Sequence, residues 1–376
     1  LMITDIFLRK TVLCLICASG LAGCSSPEKN QPPYQAIQQP PEKTYKWKMV
    51  TTWPKNLPGL GLAAENFSIL ANKMSGGRLQ IKVYGAGQLV PALETFDAVS
   101  QGTAEMGHGS AYYWKGKTQT AALFTTVPFG LNAQEMNSWL HYGGGIELWR
   151  KLYEPFNLVP LAAGNTGVQM AGWFNREIKN LGDLKGLKMR IPGIGGEVIS
   201  RLGVETVNIP GGELYTAMQT GVIDAVEWVG PYNDLALGFH QVAKYYYYPG
   251  WQEPGPTLEL IVNKQAYDSL PEDLRAIIEG AARAINQDML DEYTARNQAA
   301  LDVLVDTHNV QLRQLPDDVL LELRRITDEV LNKMVLEDPR FKEAYESQRA
   351  FKKQIQKYHK ISEQAYYRAR ELEAEK

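Results

Sequence analysis

The sequence predicts an α/β protein with two lobes, built on parallel or mixed sheets and followed by long C-terminal helices. Two separate series of alternating strands and helices, the first beginning at 44–52 and the second at 157–167, favour this fold. The 376 residues are enough for two lobes with their own cores. Strand–helix–strand repeats place crossover helices on the faces of a sheet. From residue 269 onward the chain is predicted to be almost entirely helical.

The first series contains three predicted strands. Apolar and polar residues alternate at 44–52 and strictly at 78–87, and a short strand-like segment follows at 103–109. Amphipathic helices are predicted between them, at 62–77 and 89–102, and each ends at glycine, a common helix stop.

The second series follows a helical segment around 133–153. Its strands are predicted at 157–167, 168–175, 187–191, 205–210 and 222–229, the last containing Val222, Ile223, Ala225, Val226 and Val229 as buried residues. Its helical segments are predicted at 181–186, 195–203 and 211–221. A long helix over 271–305, a short strand at 310–313 and charged helices over 317–376 complete the chain.

These elements predict a division of the chain into lobes. Lobe I is expected to contain 45–166 plus about 254–293, and lobe II 167–253 plus about 294–316. Residues 317–376 are expected to form a helical extension. Charged helices of this kind present solvated faces, and a dimerisation arm is the alternative interpretation.

The N-terminus is typical of an exported protein. Two basic residues precede an apolar run at 11–20, which is too short for a membrane-spanning helix but typical of a secretory signal. The run ends in LAGC, which resembles a bacterial lipobox and predicts a signal peptide over 1–23 with diacylation of Cys24; a plain signal peptide is the alternative. The Pro-rich and Gln-rich segment 24–44 is expected to be a flexible tether. We therefore expect a periplasmic or cell-envelope protein, held to a membrane by lipid.

Composition argues against several classes of function. The net charge of −3 gives no basic footprint for nucleic acid. Cys14 and Cys17 fall in the predicted signal, so no disulfide or thiol nucleophile is expected in the body of the protein. The histidines, His108 among them, show no metal-ligand spacing, and no complete nucleophile elbow, dinucleotide fingerprint or Walker loop occurs. The sequence therefore does not predict an enzyme.

Polar side chains at strand ends are the strongest functional signal. Ligands of open α/β sheets bind beyond the carboxyl ends of strands, where an arginine such as Arg190 can clamp a carboxylate through two hydrogen bonds. Glu227 lies in an apolar strand, and a buried carboxylate is costly unless it is paired. The alternative to a ligand site is a simple Glu227–Arg190 salt bridge. The residues at these strand ends are Gln169, Arg190, Glu227, Trp228, Gln252 and Glu253.

Two segments resemble a known family. NREIKNLGDLKGLKMRIPG (175–193) and GGELYTAMQTGVIDAVEW (211–228) are similar to the solute-binding proteins of TRAP (tripartite ATP-independent periplasmic) transporters, the DctP family. The resemblance extends from about Trp47 to about Val310. It implies a two-lobed, periplasmic-binding-protein-like fold with mixed sheets and a hinge cleft. It also implies a receptor that delivers its ligand to a small and a large membrane subunit.

Trp228 stands where many family members have Asn. With NTGVQ, VGPYND and YYYPGWQEPG, it makes the chain resemble the subgroup that binds pyruvate-like or lactate-like 2-oxo or 2-hydroxy acids through Ca²⁺ or Na⁺. The resemblance implies that Arg190 grips the ligand carboxylate. It implies cation ligands from Gln169, Glu227 and the Trp228 carbonyl, with a further ligand from Gln252 or Glu253. The other predicted substrate contacts are Tyr113, Trp114 and Asn208. Trp53, Tyr112, Tyr113 and Trp114 are all expected in loops of lobe I that face the cleft.

Three alternatives stay open from the sequence. The first is a protein of the same fold that binds another organic acid, including one bound without metal. The second is a sensory receptor that presents its ligand to a signalling partner. The third is a secreted lyase or hydrolase built on the same kind of lobes.

Overall fold

The computed structural model describes residues 43–372. The predicted signal peptide 1–23, the acylation at Cys24 and nearly all of the tether 24–44 lie outside the described residues. The described chain folds around two β-sheets. We call the part built on the first sheet lobe I and the part built on the second sheet lobe II; the lobe boundaries expected from sequence stay a prediction.

Strands and helices alternate along the chain. The strands are β1 (Tyr45–Thr51), β2 (Leu79–Tyr84), β3 (Met106–Gly109), β4 (Leu158–Asn165), β5 (Gly172–Phe174), β6 (Lys188–Arg190), β7 (Glu205–Val207), β8 (Ala225–Val226), β9 (Tyr245–Tyr248), β10 (Thr257–Asn263) and β11 (Gln311–Gln314). The helices are α1 (Leu60–Met74), α2 (Thr95–Ser100), α3 (Ala121–Thr125), α4 (Ala133–Tyr142), α5 (Gly145–Tyr153), α6 (Gly193–Ser200), α7 (Leu214–Gln219), α8 (Pro231–Leu237), α9 (Lys264–Asp268), α10 (Glu272–Asp302), α11 (Asp317–Glu337), α12 (Pro339–His359) and α13 (Glu363–Arg370).

Lobe I contains a mixed sheet in the order β2-β1-β3-β10-β4. Strand β1 pairs in parallel with β2 and β3, whereas β10 runs antiparallel to β3 and β4. Leu79, Ile81 and Val83 alternate with exposed or half-buried residues along β2, so one face of this edge strand packs into the core.

Lobe II contains a second mixed sheet in the order β11-β9-β5-β8-β6-β7. Strand β6 pairs in parallel with β7 and β8, and β5 runs antiparallel to β8 and β9. The chain passes between the two sheets three times, after β4, after β9 and after β10. The register pairs Arg190 with Val226, which places Arg190 beside the residue after β8, Glu227.

The helix α10 packs against elements of both lobes. It contacts α1 and β4 of lobe I and α8 of lobe II. The side chain of Asn286 accepts a hydrogen bond from the Gly164 amide at 3.1 Å. The side chain of Asn297 accepts one from the Tyr232 amide at 3.1 Å. One helix is therefore hydrogen-bonded to both lobes.

The C-terminal helices pack on the rest of the chain. Helix α11 contacts α6 of lobe II, and α12 contacts α3, α4 and α5 of lobe I. Leu323, Ile326 and Phe341 are buried in the same core cluster as Phe124 and Trp149. The predicted helical extension thus has a buried apolar stripe as well as a solvated face. Within residues 43–372, no helix has the length and apolar character needed to cross a membrane.

The prediction for 222–229 is wrong in extent. Only Ala225–Val226 pair as a strand, and Val222 is 59% exposed instead of buried. Likewise, 168–175 shortens to Gly172–Phe174. The strands β5 and β6, which flank β8, have three residues each. The remaining apolar residues of 222–229 therefore have no strand beside them to pair with. The strands β9 and β10 had no predicted counterpart.

Candidate functional site

Arg190 lies at the end of β6 and is completely buried. Its Nη1 donates hydrogen bonds to the Glu227 carbonyl at 2.5 Å and to Glu227 Oε2 at 3.0 Å. Its Nη2 donates to the Tyr113 hydroxyl of lobe I at 3.1 Å, and the guanidinium lies 4.9 Å from the centre of the Trp228 ring. Arg190 therefore connects the two lobes at the point where the polar strand ends meet.

Glu227 is buried to the same extent, but only part of its carboxyl group is paired. Oε2 accepts from Arg190, whereas Oε1 has no hydrogen-bond partner among residues 43–372. Burial raises the pKa of Glu227 to about 8 and the Asp234 charge adds to the increase, whereas the Arg190 charge and a weaker interaction with the Gln252 side chain oppose it. The salt bridge predicted as the alternative is present, and it leaves one oxygen available for another positive group.

Three more buried oxygens in this region lack partners within the described chain: Gln169 Oε1, Gln252 Oε1 and Glu253 Oε2. The side-chain nitrogen of each glutamine already donates a hydrogen bond. Gln169 Nε2 donates to the Thr166 hydroxyl at 3.1 Å, and Gln252 Nε2 donates to the Met170 carbonyl at 2.8 Å. These bonds fix the amide orientations, so the unpartnered atom in each is the acceptor.

Backbone contacts hold these side chains together. The backbone N–H of Gln169 donates to the backbone carbonyl of Glu253 at 3.1 Å. A Cβ added at Gly250 would lie 2.0 Å from the Gln169 carbonyl, so the close approach requires glycine. The pKa of Glu253 is raised well above its usual value, first by burial and then by the charge of Glu227. Two carboxyl groups thus share one low-dielectric site with a single arginine.

Trp228 forms part of an aromatic wall between the lobes. Its indole Nε1 donates to the Asn233 side chain, and its ring meets that of Trp53 edge to face at 6.2 Å. A Cβ on Gly211 would lie 2.3 Å from the Trp228 ring, so the glycine is needed for this packing. The Trp228 carbonyl accepts no hydrogen bond from the described part of the chain.

Trp53 is oriented by a buried histidine. Its Nε1 donates to His108 Nδ1 at 2.8 Å, and His108 Nε2 lies 2.9 Å from the Ala163 carbonyl. This geometry requires the neutral tautomer with the proton on Nε2. Burial lowers the pKa of His108 to about 4, so the ring stays neutral. Sequence reasoning missed this pairing, because the two residues belong to different strand ends and have no shared motif.

The remaining predicted substrate contacts, Trp114, Asn208 and Tyr113, have different surroundings. Trp114 turns its indole N–H to the Glu259 carboxylate and packs on Phe96 inside lobe I. Asn208 follows β7 and is exposed. Of the predicted contacts, Tyr113 meets Arg190 directly. Asn208 lies between Val207, which pairs with Arg190, and Ile209, whose carbonyl accepts from Arg190 Nε at 3.3 Å.

The available atoms suit a hard cation. Carboxylate, amide and backbone carbonyl oxygens are the ligands that Ca²⁺ prefers, whereas transition metals favour imidazole and thiolate. Among the described residues, no group of three or more His, Cys, Asp or Glu side chains could hold a metal ion. A cation in this cluster would therefore depend on amide and backbone oxygens besides Glu227 or Glu253.

Two α/β lobes that meet over a buried arginine and unpartnered oxygens define a class of protein, the solute-binding receptors that enclose a ligand in a cleft. The model of bacterial extracellular solute-binding protein family 7, DctP, matches residues 49–338. The chain belongs to this family, whose members are the receptors of TRAP transporters. A relative from Nostoc sp. is 45% identical over 321 residues, which cover 85% of this chain and 88% of the relative. That relative is described as a monocarboxylate 2-oxoacid-binding periplasmic protein.

Two solved structures have the same fold at high identity. A TRAP periplasmic solute-binding protein from Colwellia psychrerythraea, with bound calcium and pyruvate, is 44% identical with a TM-score of 0.84. It covers 87% of this chain and all of its own. One from Pseudoalteromonas atlantica, with bound sodium and pyruvate, is 43% identical with a TM-score of 0.85, over 88% of this chain and all of its own. The predicted family and two-lobed fold are confirmed.

Proposed function

We propose that this protein is the extracytoplasmic receptor of a TRAP transporter and binds a small 2-oxo or 2-hydroxy monocarboxylate, such as pyruvate or lactate, together with Ca²⁺ or Na⁺. The observation that carries the proposal is the group of unpartnered buried oxygens beside Arg190. Burying an acceptor without a partner costs about 1–3 kcal/mol each. Their concentration at one point indicates a positively charged occupant.

Each residue has a distinct role in the proposal. Gln169, Glu227 and the Trp228 carbonyl would hold the cation, with Gln252 or Glu253 as a further ligand. Both of the last two have an unpartnered oxygen, so both stay candidates. The bound cation would supply positive charge that neutralises Glu227 and attracts the carboxylate and 2-oxo oxygens of the ligand.

Arg190 completes the recognition of the acid. Its guanidinium can form two parallel hydrogen bonds to a carboxylate, and its position against Tyr113 lets the ligand form contacts with both lobes. Lys115 of lobe I also lies 3.4 Å from Glu197 on α6 of lobe II. Ligand binding would thus stabilise a closed arrangement by hinge motion. No catalytic step is part of this function.

The proposal extends to the protein's attachment and assembly. We expect a lipid anchor at Cys24, which mass spectrometry of the N-terminal peptide tests directly. Exposed apolar side chains on the last helices, at Tyr358, Ile361 and Tyr366, favour pairing of two copies through the C-terminal helices. Light scattering of the purified protein measures that association. The ligand would then pass to the small and large membrane subunits.

The binding function is tested by calorimetry and thermal shift on protein stripped of cations with chelator. Pyruvate and lactate are titrated in potassium buffer, with Ca²⁺, with Na⁺ or with neither. Binding at least tenfold tighter with a cation is expected, with a raised melting temperature, because a ligand specific for the folded state stabilises it. Propionate, which lacks the 2-oxo oxygen, is the matched control and should bind more weakly.

The result separates the remaining interpretations. Equal pyruvate affinity with and without cation would replace the proposal by acid binding without metal. The absence of any response to 2-oxo and 2-hydroxy acids would contradict the proposed ligand class.

A further inference from the structure

A cavity outside the cleft lies between helix α11, helix α12 and the loop 127–130. Its volume is about 430 Å³, which is in the usual range for small-molecule pockets. Four cationic side chains and one carboxylate line it: Arg324, Arg349, Lys352, Lys353 and Asp328. It is therefore strongly basic, in a protein whose net charge is −3.

The positive side chains that α12 contributes to the cavity differ from those of α11 in their ion pairing. On α11, Arg324 lies 4.0 Å from Asp328, and Lys333 outside the cavity lies 3.6 Å from Glu337. In contrast, Arg349, Lys352 and Lys353 have no carboxylate within 4.0 Å in the described chain. Residues 349 and 353 lie one helical turn apart, where like charges destabilise each other. The cavity therefore has excess positive charge that an anion would neutralise.

Lys352 is placed at the cavity by the loop. Its Nζ donates to the Phe129 carbonyl. Burial lowers the pKa of Lys352, and the nearby Arg324 lowers it further. Glu135 and Asp328 act in the opposite direction, so burial is the main cause of the lowered pKa.

The loop also links this cavity to the cleft. Phe129 has φ +54°, an unfavourable conformation for a bulky residue. Its amide donates to the Trp251 carbonyl at 2.8 Å, and the two rings lie 5.8 Å apart. Trp251 directly precedes Gln252 and Glu253, the candidate cation ligands. A movement of this loop would therefore reach the cleft through one backbone hydrogen bond.

We infer that the cavity between α11, α12 and residues 127–130 binds a small anion with two or more negative charges, and that its occupancy changes the affinity of the cleft. Inorganic phosphate and a tricarboxylate share the required chemistry. Arg349 offers a planar set of donors for phosphate or carboxylate oxygens, and the two lysines supply further charge. A monovalent anion would leave most of the excess charge in place.

Binding is measured by calorimetry and thermal shift on the protein, with inorganic phosphate or tricarballylate at constant sodium and ionic strength. The double variant Arg349→Gln/Lys353→Gln should lose affinity at least tenfold. The control Arg325→Gln/Lys333→Gln removes two exposed charges from α11 outside the cavity and should stay within twofold of wild type. The proposal would be overturned if neither phosphate nor tricarballylate bound the wild type. It would also be overturned if the cavity variant, Arg349→Gln/Lys353→Gln, bound them with the same affinity as the wild type.

The link to the cleft is measured separately. Pyruvate is titrated in constant sodium with and without saturating phosphate, and the dissociation constant should change at least threefold in the wild type but not in the cavity variant. An unchanged constant in the wild type would overturn the link. This arm rests on the proposed 2-oxo acid function, whereas the anion titration does not, so the two failures are distinguishable.

Discussion

Two buried carboxyl groups of lobe II, Asp234 and Glu227, differ in a way that separates structural residues from binding residues. Asp234 accepts hydrogen bonds from Trp173, from Tyr246 and from two backbone amides. Glu227 is equally buried, yet its Oε1 has no partner among the described residues. Burial raises the pKa of Glu227 to about 8 and that of Asp234 to about 6. The two carboxyl groups are equally buried and differ in the number of hydrogen-bond donors that the fold supplies to their oxygens.

Lobe I repeats the structural pattern. Glu259 is buried in the centre of β10, where Trp114 and Tyr153 donate to its two oxygens. In this carboxyl group, each oxygen already has a donor from the fold, in contrast to Glu227 Oε1. This comparison predicts that substitutions in the cleft change binding, whereas substitutions at Asp234 or Glu259 change stability.

The largest effect is expected from Arg190→Ala. The change removes the clamp together with the hydrogen bonds that Arg190 donates to Glu227 and Tyr113, and a buried acceptor left without its donor costs about 1–3 kcal/mol. Ligand affinity should fall at least a hundredfold, about 3 kcal/mol, measured by calorimetry with pyruvate and Ca²⁺.

Arg190→Lys is the matched variant, because it keeps the charge but removes the planar set of donors. Its affinity should lie between those of the wild type and the alanine variant. If Arg190→Ala folds and keeps full affinity, Arg190 is not the clamp.

Glu227→Gln and Asp234→Asn test the comparison directly. Glutamine resembles the protonated carboxyl group that a pKa of about 8 predicts for metal-free protein at pH 7, so apo stability should change by less than about 1 kcal/mol. The stabilisation by Ca²⁺ should be lost, because an amide oxygen replaces the anionic ligand. Asp234→Asn should instead lower the unfolding free energy by about 2 kcal/mol, because charge-assisted hydrogen bonds are weakened.

Denaturant unfolding with and without Ca²⁺ measures both effects. The comparison would fail if Asp234→Asn removed the Ca²⁺ response while Glu227→Gln kept it.

The pH dependence of the metal-free protein follows from Glu227. Its pKa is raised from 4.5 to about 8, so between these values the folded state holds a proton that the unfolded state has lost. The unfolding free energy should therefore fall as pH rises from 4.5 to 8, by at most about 1.4 kcal/mol per pH unit from this group.

The difference between wild type and Glu227→Gln isolates this contribution from those of other buried carboxyl groups. Ca²⁺ should remove the loss at high pH, since it favours the ionised carboxylate. Parallel pH profiles for the two proteins would contradict the assignment.

The smallest effect is expected from Lys115→Gln, which removes an ion pair between the lobes. The side chains of Lys115 and Glu197 are more than one-third exposed, and exposed pairs contribute about 0–1 kcal/mol. The ligand dissociation constant should rise up to fivefold, and the difference should shrink at high salt.

Lys117→Gln is the control, because Lys117 pairs with Asp97 at 2.7 Å within lobe I. It should leave ligand affinity unchanged. An equal loss in both variants would indicate a general charge effect instead of an effect on closure.

The meeting of Arg190 and Glu227 could be predicted from sequence because both residues end short strands, and parallel neighbours end at the same edge of a sheet. The side-chain orientations of Gln169 and Gln252 could not be predicted from sequence. They depend on tertiary hydrogen bonds, in which each side-chain nitrogen donates, to the Thr166 hydroxyl and to the Met170 carbonyl. Trp114 was expected to face the cleft because it lies in a predicted loop of lobe I. Its burial against Glu259 depends on β10, which has no alternating pattern to reveal it.

The strand lengths show the same limit. Alternation predicted β2 well, because one face of this edge strand packs on the core. It also located β1, although Met49, Val50 and Thr51 at its end are buried in succession. The strands of lobe II are too short for a period of two to be recognised, and their apolar residues are buried by loops and helices as much as by the sheet. Val222 lies before the two-residue strand β8 and is exposed, although Ile223 and Ala225 are buried.

The attachment of α10 to both lobes limits how far the protein can open. Asn286 holds the helix to lobe I and Asn297 holds it to lobe II, and the stretch between them contains neither glycine nor proline. Sharp kinks need such residues or a break in the helical hydrogen bonds, so opening here must be a gentle bend or the loss of one anchor.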